Sequence, residues 1–247
     1  MATFPSSEPI RIPPQSVSAA TLEGVLVDLH AHSSPKSSCS KASLRDLVEA
    51  ARRRGVDALC LTEHDLAWPE DELAAASADV GFPLFSGVEL TTDAGHVLAF
   101  GPLRRPLWLG YRLEELAAEA EETGIALVLP HPVRRQAGER AVRAGRVPPP
   151  PDDVVALPAW SVVHAVEAGS TQTTPTEQAL TAAALRVAPR PAVGGSDAHA
   201  PGRAGAWVTR FERDVRTTAE LAEEIRAGKV TPVSAYDRAD HDPLEGT

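Results

Sequence analysis

The chain has 247 residues, 43% of them apolar and 4% aromatic, with a formal net charge of -10. That apolar content suits one domain with a sizeable core, and the acidic balance argues against a general nucleic-acid binder, which needs basic surface to displace counterions from phosphate. Cys39 and Cys60 are too few for a disulfide framework, no charged start followed by an apolar run marks a secretory signal, and no apolar stretch approaches the ~20 residues that span a bilayer, so a cytoplasmic enzyme acting on small molecules is expected rather than a membrane protein.

Along the chain, strand and helix patterns alternate. Gly24 to Leu29 reads as a strand, and Ser43 to Arg54 as a helix with Leu44, Leu47, Val48 and Ala51 on one face and Gly55 as its stop. Val56 to Leu61 is a continuous apolar strand, followed by a helix over Pro69 to Ala78 and strands over Pro83 to Val88 and Gly95 to Gly101. Leu113 to Thr123 is a helix ending at Gly124, and Ile125 to Leu129 a strand running into His131. Then come a strand at Val162 to Ala168, a helix over Thr176 to Val187, a short strand ending at Gly194, a strand at Ala206 to Phe211, and a helix over Thr218 to Ala227 capped by Thr217. Strands apolar throughout are buried on both faces, as in a parallel sheet covered by helices, so the expected fold is an α/β barrel with its functional residues at the carboxyl ends of the strands. Outside this rhythm, residues 1–20 read as a Pro- and Ser-rich arm and 237–247 as a polar tail holding His241, leaving a domain over 21–236. Gly138 to Pro158, with four prolines at Pro148 to Pro151, reads as a long loop.

Seven of the eight histidines, all but His241, lie in short polar motifs that follow apolar runs. His30 and His32 are two apart at a strand end, which puts both imidazoles on one face and lets them share an ion. Asp197 and His199 repeat that spacing on a distant strand, while Glu89, His64, His96 and His131 close further runs, and a carboxylate such as Glu89 can bridge two ions. Asp28 and Asp65 adjoin these residues and suit carboxylates that orient metal-bound imidazoles; Glu63 reads as a loop residue, His164 as a structural histidine and Cys60 as core.

The segments DLHAHS, TEHD, GVEL, HPV and GSDAH, in this order over residues 28–199, resemble the polymerase and histidinol phosphatase (PHP) family of metal-dependent phosphoesterases. The resemblance implies a distorted seven-stranded, TIM-like (β/α)7 barrel holding two to three divalent ions, with zinc, manganese or iron all suited to the ligand types. It implies that His30, His32, Glu89 and Asp197 hold the first ion, Glu89 bridging to a second bound by His131 and His96, and that His64 and His199 hold a third. Glu167 also matches a family position. Where members commonly offer a further Asp or His to the third ion, this chain has Ser33 to Ser40, with Cys39 the only strong ligand type. A thiolate there would favour zinc; a buried, inert cysteine is the alternative.

The implied chemistry is hydrolysis of a small phosphomonoester by hydroxide that the ions generate from water, with Glu89, Asp197 and His199 as the catalytic residues and Arg134, Arg135 and Arg203 as candidate phosphate clamps. The positive ions outweigh the two carboxylates, so an acidic protein can still draw in phosphate locally. Two other classes remain: a phosphodiesterase or exonuclease on short nucleic acids, and a non-catalytic, metal-stabilised module. An amidohydrolase would normally need a mid-chain lysine, and none lies between Lys41 and Lys229.

Overall fold

The computed structural model describes residues 24–107, 110–134, 142–145 and 147–235; the arm over 1–20, the tail over 237–247 with His241, and Arg135 fall outside them. In chain order the elements are β1 (Leu26–Ala31), α1 (Leu44–Arg53), β2 (Ala58–Leu61), α2 (Glu70–Val80), β3 (Leu84–Ser86), β4 (Val88–Thr92), β5 (Gly95–Phe100), α3 (Leu113–Thr123) and β6 (Ala126–Leu129). They continue as α4 (Pro151–Val155), α5 (Pro158–Val162), β7 (Ala165–Gly169), α6 (Pro175–Val187), β8 (Ala192–Gly194), β9 (Trp207–Phe211), α7 (Thr218–Arg226) and β10 (Val230–Ser234). Local chemistry sets the helix starts: Ser43 and Asp46 form a reciprocal cap on α1, and Thr174 and Glu177 do the same on α6.

The closed seven-stranded ring expected from the sequence does not form among the described residues. Ten strands make two five-stranded sheets, ordered β10-β9-β1-β2-β3 and β4-β5-β6-β7-β8. The parallel rhythm breaks because β4 and β5 are joined through Asp93 and Ala94 alone, and a two-residue connection permits only antiparallel pairing. β5–β6, β1–β9 and β9–β10 are antiparallel as well. β10 falls on the edge of its sheet, the position where a proline such as Pro232 is tolerated in a strand because its missing N–H can face away from β9.

Two other expectations change in detail. The single strand over Pro83 to Val88 divides at Gly87, where the chain leaves one sheet for the other; a Cβ there would lie 2.7 Å from the Phe100 ring, so only glycine fits the corner. The loop expected over 138–158 contains α4 and leads into α5, and α5 also takes the start of the strand expected from Val162. Pro151 and Pro158 open these helices, where a preset φ helps and the missing N–H is not needed.

The two sheets share a core, in which Val27, Leu29 and Cys60 of one pack with Phe100, Val128 and Val193 of the other, and two backbone bridges join them beside it. Ala31, at the end of β1, bridges to Ala198, and His64, just past β2, bridges to Glu89 in β4. Asp28, fully buried on β1, fastens the first junction: Oδ1 accepts from the amides of Ser196 (2.8 Å) and His30 (3.2 Å), and Oδ2 from that of Gly205 (2.7 Å). No described helix is long and apolar enough to cross a membrane.

Asp28→Ala would remove the acceptor of the buried Ser196 and His30 amides, and each such loss costs about 1–3 kcal/mol. Denaturant unfolding is therefore expected to show Asp28→Ala less stable by at least ~2 kcal/mol. A loss under ~1 kcal/mol would show that the junction does not depend on this carboxylate.

Candidate metal centre

All eight predicted ligands come together at the junction of the sheets, and Glu89 is their hub. Its Oε1 lies 2.7 Å from His96 Nδ1 and 3.1 Å from His131 Nε2; its Oε2 lies 3.1 Å from His32 Nε2, 3.2 Å from His64 Nδ1 and 3.4 Å from His30 Nε2. Asp197 closes the other side, with Oδ1 3.2 Å from His199 Nδ1 and 3.5 Å from both His30 Nε2 and His32 Nε2. His30, His32, Glu89, His131 and Asp197 are buried, whereas His64, His96 and His199 are partly exposed and form the mouth.

Backbone geometry aims several of these groups. The alternation of β1 sends His30 and His32 to one side. His131 and Asp197 have φ of 32° and 50°, a region that non-glycine residues rarely occupy, at a cost of order 1–3 kcal/mol each. Both residues follow strand ends, where the chain turns sharply and its side chains point into the junction.

The groups that orient the imidazoles are mostly not those the sequence suggested. Glu167, buried on β7, accepts from His30 Nδ1 (3.0 Å) through Oε1 and from the His131 amide (2.9 Å) through Oε2, which fixes the tautomer that turns His30 Nε2 inward. Glu63 lies in the loop after β2, as expected, but is fully buried: it accepts from the Ser33 amide and hydroxyl, the Ser37 hydroxyl and Trp68 Nε1 (3.1 Å), and Ser37 Oγ sits 3.4 Å from His32 Nδ1. Asp28 and Asp65 hold backbone instead of imidazoles, Asp65 accepting from the Thr91 amide (2.8 Å). Nothing in the sequence distinguishes Glu63 or Ser37, because their burial is set by packing between distant segments.

Among the arginines, Arg134 Nη1 donates to Asp197 Oδ2 at 2.6 Å, whereas Arg203 is exposed and makes no side-chain bond to the cluster among the described residues. His164 stands apart, accepting from the Leu127 amide (2.9 Å) at Nδ1 and facing Arg226 at Nε2, so it is structural as expected. Cys60 is buried core, but Cys39 is exposed, which corrects the buried alternative for it.

Four groups of donors lie within 4.8 Å of one another: His30, His32 and Asp197; His30, Glu89 and His131; His64, Glu89 and His96; and His32, Cys39, His64 and His199. Two donors about 2.0–2.2 Å from one ion, at tetrahedral or octahedral angles, are roughly 3.0–3.5 Å apart, and most of the N···O separations around Glu89 and Asp197 fall in that range. His30 Nε2 and His32 Nε2 face each other at 3.1 Å, and the buried Glu89 Oε2 has no hydrogen-bond partner among the described residues. Two facing nitrogens and an unsatisfied buried carboxylate oxygen fit a shared divalent cation.

Without an ion, protons take up that role. Burial works against a charged His30, but Asp197, Glu167 and Glu89 outweigh it and hold His30 well above its ordinary range. Burial alone would raise Glu89 and Asp197; the charge on His30 and the surrounding imidazole hydrogen bonds hold both well below. His64 is pushed down to about 4, mainly by burial, and is neutral near pH 7.

An ion can bind only the deprotonated imidazole, so uptake must release the proton held on His30. Calorimetric zinc titrations near pH 7, in buffers of different ionisation enthalpy, are expected to report proton release, with apparent affinity rising as pH rises. No release would contradict a protonated His30 in the ion-free state. Separately, a Cβ at Gly195 would lie 2.6 Å from His30 Cβ and 2.8 Å from Glu167 Oε1. Gly195→Ala is therefore expected to weaken metal binding by about 10- to 100-fold, the loss typical of disturbing groups that orient ligands; unchanged affinity would mean that the contact is relieved without moving His30.

Comparison with known proteins agrees with this geometry. Residues 28–131 match the PHP domain and residues 175–230 match a segment described as PHP-associated. A stretch of 66 residues is 39% identical to a 5'-3' exoribonuclease of Haemophilus influenzae, over 27% of this chain and 23% of that protein, so the match spans less than a quarter of that relative. Among solved structures, the fold is similar to PsfC from Pseudomonas syringae, at 22% identity with a TM-score of 0.55, covering 85% of this chain and 91% of that one. It is also similar to a two-domain protein from Bacteroides vulgatus containing a predicted PHP-like metal-dependent phosphoesterase, at 18% identity with a TM-score of 0.57, covering 85% of this chain and 64% of that one. The two family matches cover more than half of the chain and contain all eight residues of the cluster, and the chain belongs to the PHP family.

Proposed function

We propose that this chain is a metal-dependent phosphoesterase that hydrolyses a small phosphomonoester at a centre of two to three divalent ions. The observation that carries the reading is the convergence of six imidazoles and two carboxylates on one junction, with the donor spacing that divalent ions require. His30, His32, Glu89 and Asp197 would hold one ion, Glu89, His96 and His131 a second, and His64 with His199 would contribute to a third; zinc, manganese and iron all suit these donors. When bound, such ions supply Lewis acidity toward water and toward phosphoryl oxygens.

The chain's own groups provide the rest. Glu89 presents both carboxylate oxygens to different sets of imidazoles, the disposition a bridging ligand needs. The His199 Nδ1 proton is directed at the Asp197 carbonyl (3.0 Å), which leaves Nε2 as the nitrogen able to coordinate or to exchange a proton. Arg134 is anchored on Asp197 by one nitrogen, so its remaining donors can hold an anionic group beside the centre, while the exposed Arg203 is a second, looser candidate. Substrate would approach from the side of His64, His96 and His199, the exposed rim of an otherwise buried cluster.

A small substrate is favoured by the net charge of -10, which leaves little to attract a long polyanion. The segment shared with an exoribonuclease favours a second reading, hydrolysis of short nucleic acids. Protein reconstituted separately with manganese, zinc and iron should be assayed on a panel of phosphomonoesters and on short end-labelled oligonucleotides. Release of inorganic phosphate from small monoesters is expected; shortening of oligonucleotides without such release would replace the first reading by the second, and inactivity on both panels would overturn the two together. Glu89→Gln is expected to lower metal occupancy and to reduce the rate by more than about 100-fold. Full activity in that variant would remove Glu89 from its bridging role.

A further inference from the structure

The third ion is where this chain departs from the imidazole and carboxylate chemistry of the other two. Cys39 lies in the segment between β1 and α1, and its sulfur is within 4.8 Å of donor nitrogens of His32, His64 and His199. That segment is held firmly on both sides of the cysteine. Ser37 Oγ donates to Glu63, Ser40 Oγ donates to the His32 carbonyl (2.7 Å), and the Lys41 amide donates to the His199 carbonyl (2.9 Å). Ser37 and Ser40 are buried whereas Cys39 is exposed, so the thiol stands at the mouth of the centre rather than in the core.

The imidazoles can be divided between the buried set and the rim. His32 Nε2 faces His30, Glu89 and Asp197, and its Nδ1 faces Ser37, which assigns His32 to the buried first set. Glu89 Oε2, buried and without a hydrogen-bond partner among the described residues, faces both sides, 3.1 Å from His32 Nε2 and 3.2 Å from His64 Nδ1. His64, His199 and Cys39 then remain together at the rim: two imidazoles and one sulfur, a set of three protein donors that leaves a tetrahedral position open.

We infer that Cys39 supplies a thiolate ligand to the outermost ion together with His64 and His199, and so makes that site selective for a thiophilic divalent cation such as zinc over manganese or magnesium. The inference rests on the metal-centre reading above. A soft sulfur donor discriminates strongly against hard cations that prefer oxygen, whereas the carboxylate-bearing inner sites accept either kind. The outer position would therefore carry a different metal preference from the inner pair within one centre.

The test uses the full chain, wild type and Cys39→Ser, with zinc, manganese and cobalt added singly to protein stripped by chelator. Wild type is expected to bind one more zinc than manganese, and its cobalt form to show sulfur-to-cobalt charge-transfer absorption in the near ultraviolet. Because Cys60 is buried, Cys39 is the thiol accessible to a disulfide reagent in the native protein, and zinc is expected to protect it. Cys39→Ser is expected to lose the absorption band and to bind the outermost zinc at least about tenfold more weakly, keeping the inner ions and the ion-free melting temperature. A full zinc count in Cys39→Ser, or a Cys39 that stays equally reactive when zinc is bound, overturns the thiolate ligand and leaves the phosphoesterase reading standing. Wild type that takes up no ion of any kind overturns the metal centre, and this proposal with it. Should Cys39→Ser fold poorly, the cobalt spectrum and thiol protection of the wild type decide the question alone.

Discussion

A buried carboxylate ringed by five imidazoles is the constraint around which the rest of this structure is arranged. Glu89 lies within 3.4 Å of His30, His32, His64, His96 and His131, and those residues come from both sheets and from the turns that follow their strands. No single sheet can supply them. β1 and β2 bring three imidazoles from one side, while β4, β5 and β6 bring the carboxylate and the other two, so the two sheets have to come together around the cluster. The bridges from Ala31 to Ala198 and from His64 to Glu89, with Asp28 fastening the first, are the means by which they do so.

Much of this was legible in the sequence. Continuous apolar runs marked most strands, the cap Thr217 marked the start of α7, and the recurrence of His, Asp and Glu just beyond apolar runs pointed to all eight residues of the cluster. A period of two made His30 and His32 neighbours without any tertiary information. Overall architecture was less legible. The switch to antiparallel pairing rests on the short connection at Asp93 and Ala94, a local signal easily overridden by the expectation of a repeating parallel unit.

The residues that orient the ligands were the least legible, and the reason is physical. A carboxylate that holds an imidazole looks, in sequence, like any other carboxylate near a histidine. Asp28 and Asp65 adjoin ligands and yet accept from backbone amides, whereas Glu167, far from His30 in sequence, sets its tautomer, and Glu63 reaches the His32 side of the cluster through Ser37. Such roles are decided by which segments pack together, and they became visible only with the junction. Cys39 illustrates the same point in reverse: flanked by serines, it offered no sign of whether it would face the core or the mouth, and the pinning of Ser37 and Ser40 decided it.

The buried charges of the cluster also offset one another. Without metal, two buried carboxylates and a crowd of imidazoles would be intolerable if uncompensated. Protonation of His30 supplies the missing positive charge where an ion would otherwise sit, and the carboxylates respond by staying ionised well below their ordinary range. Loading the site is then an exchange of cations, because an ion that binds His30 must displace the proton held there. The positive φ of His131 and Asp197 is carried by the turns that follow β6 and β8. His64, kept neutral by partial burial, together with His199 and the exposed Cys39, forms the part of the centre that solvent can reach, so exchange with the surroundings must pass through the rim before it reaches Glu89.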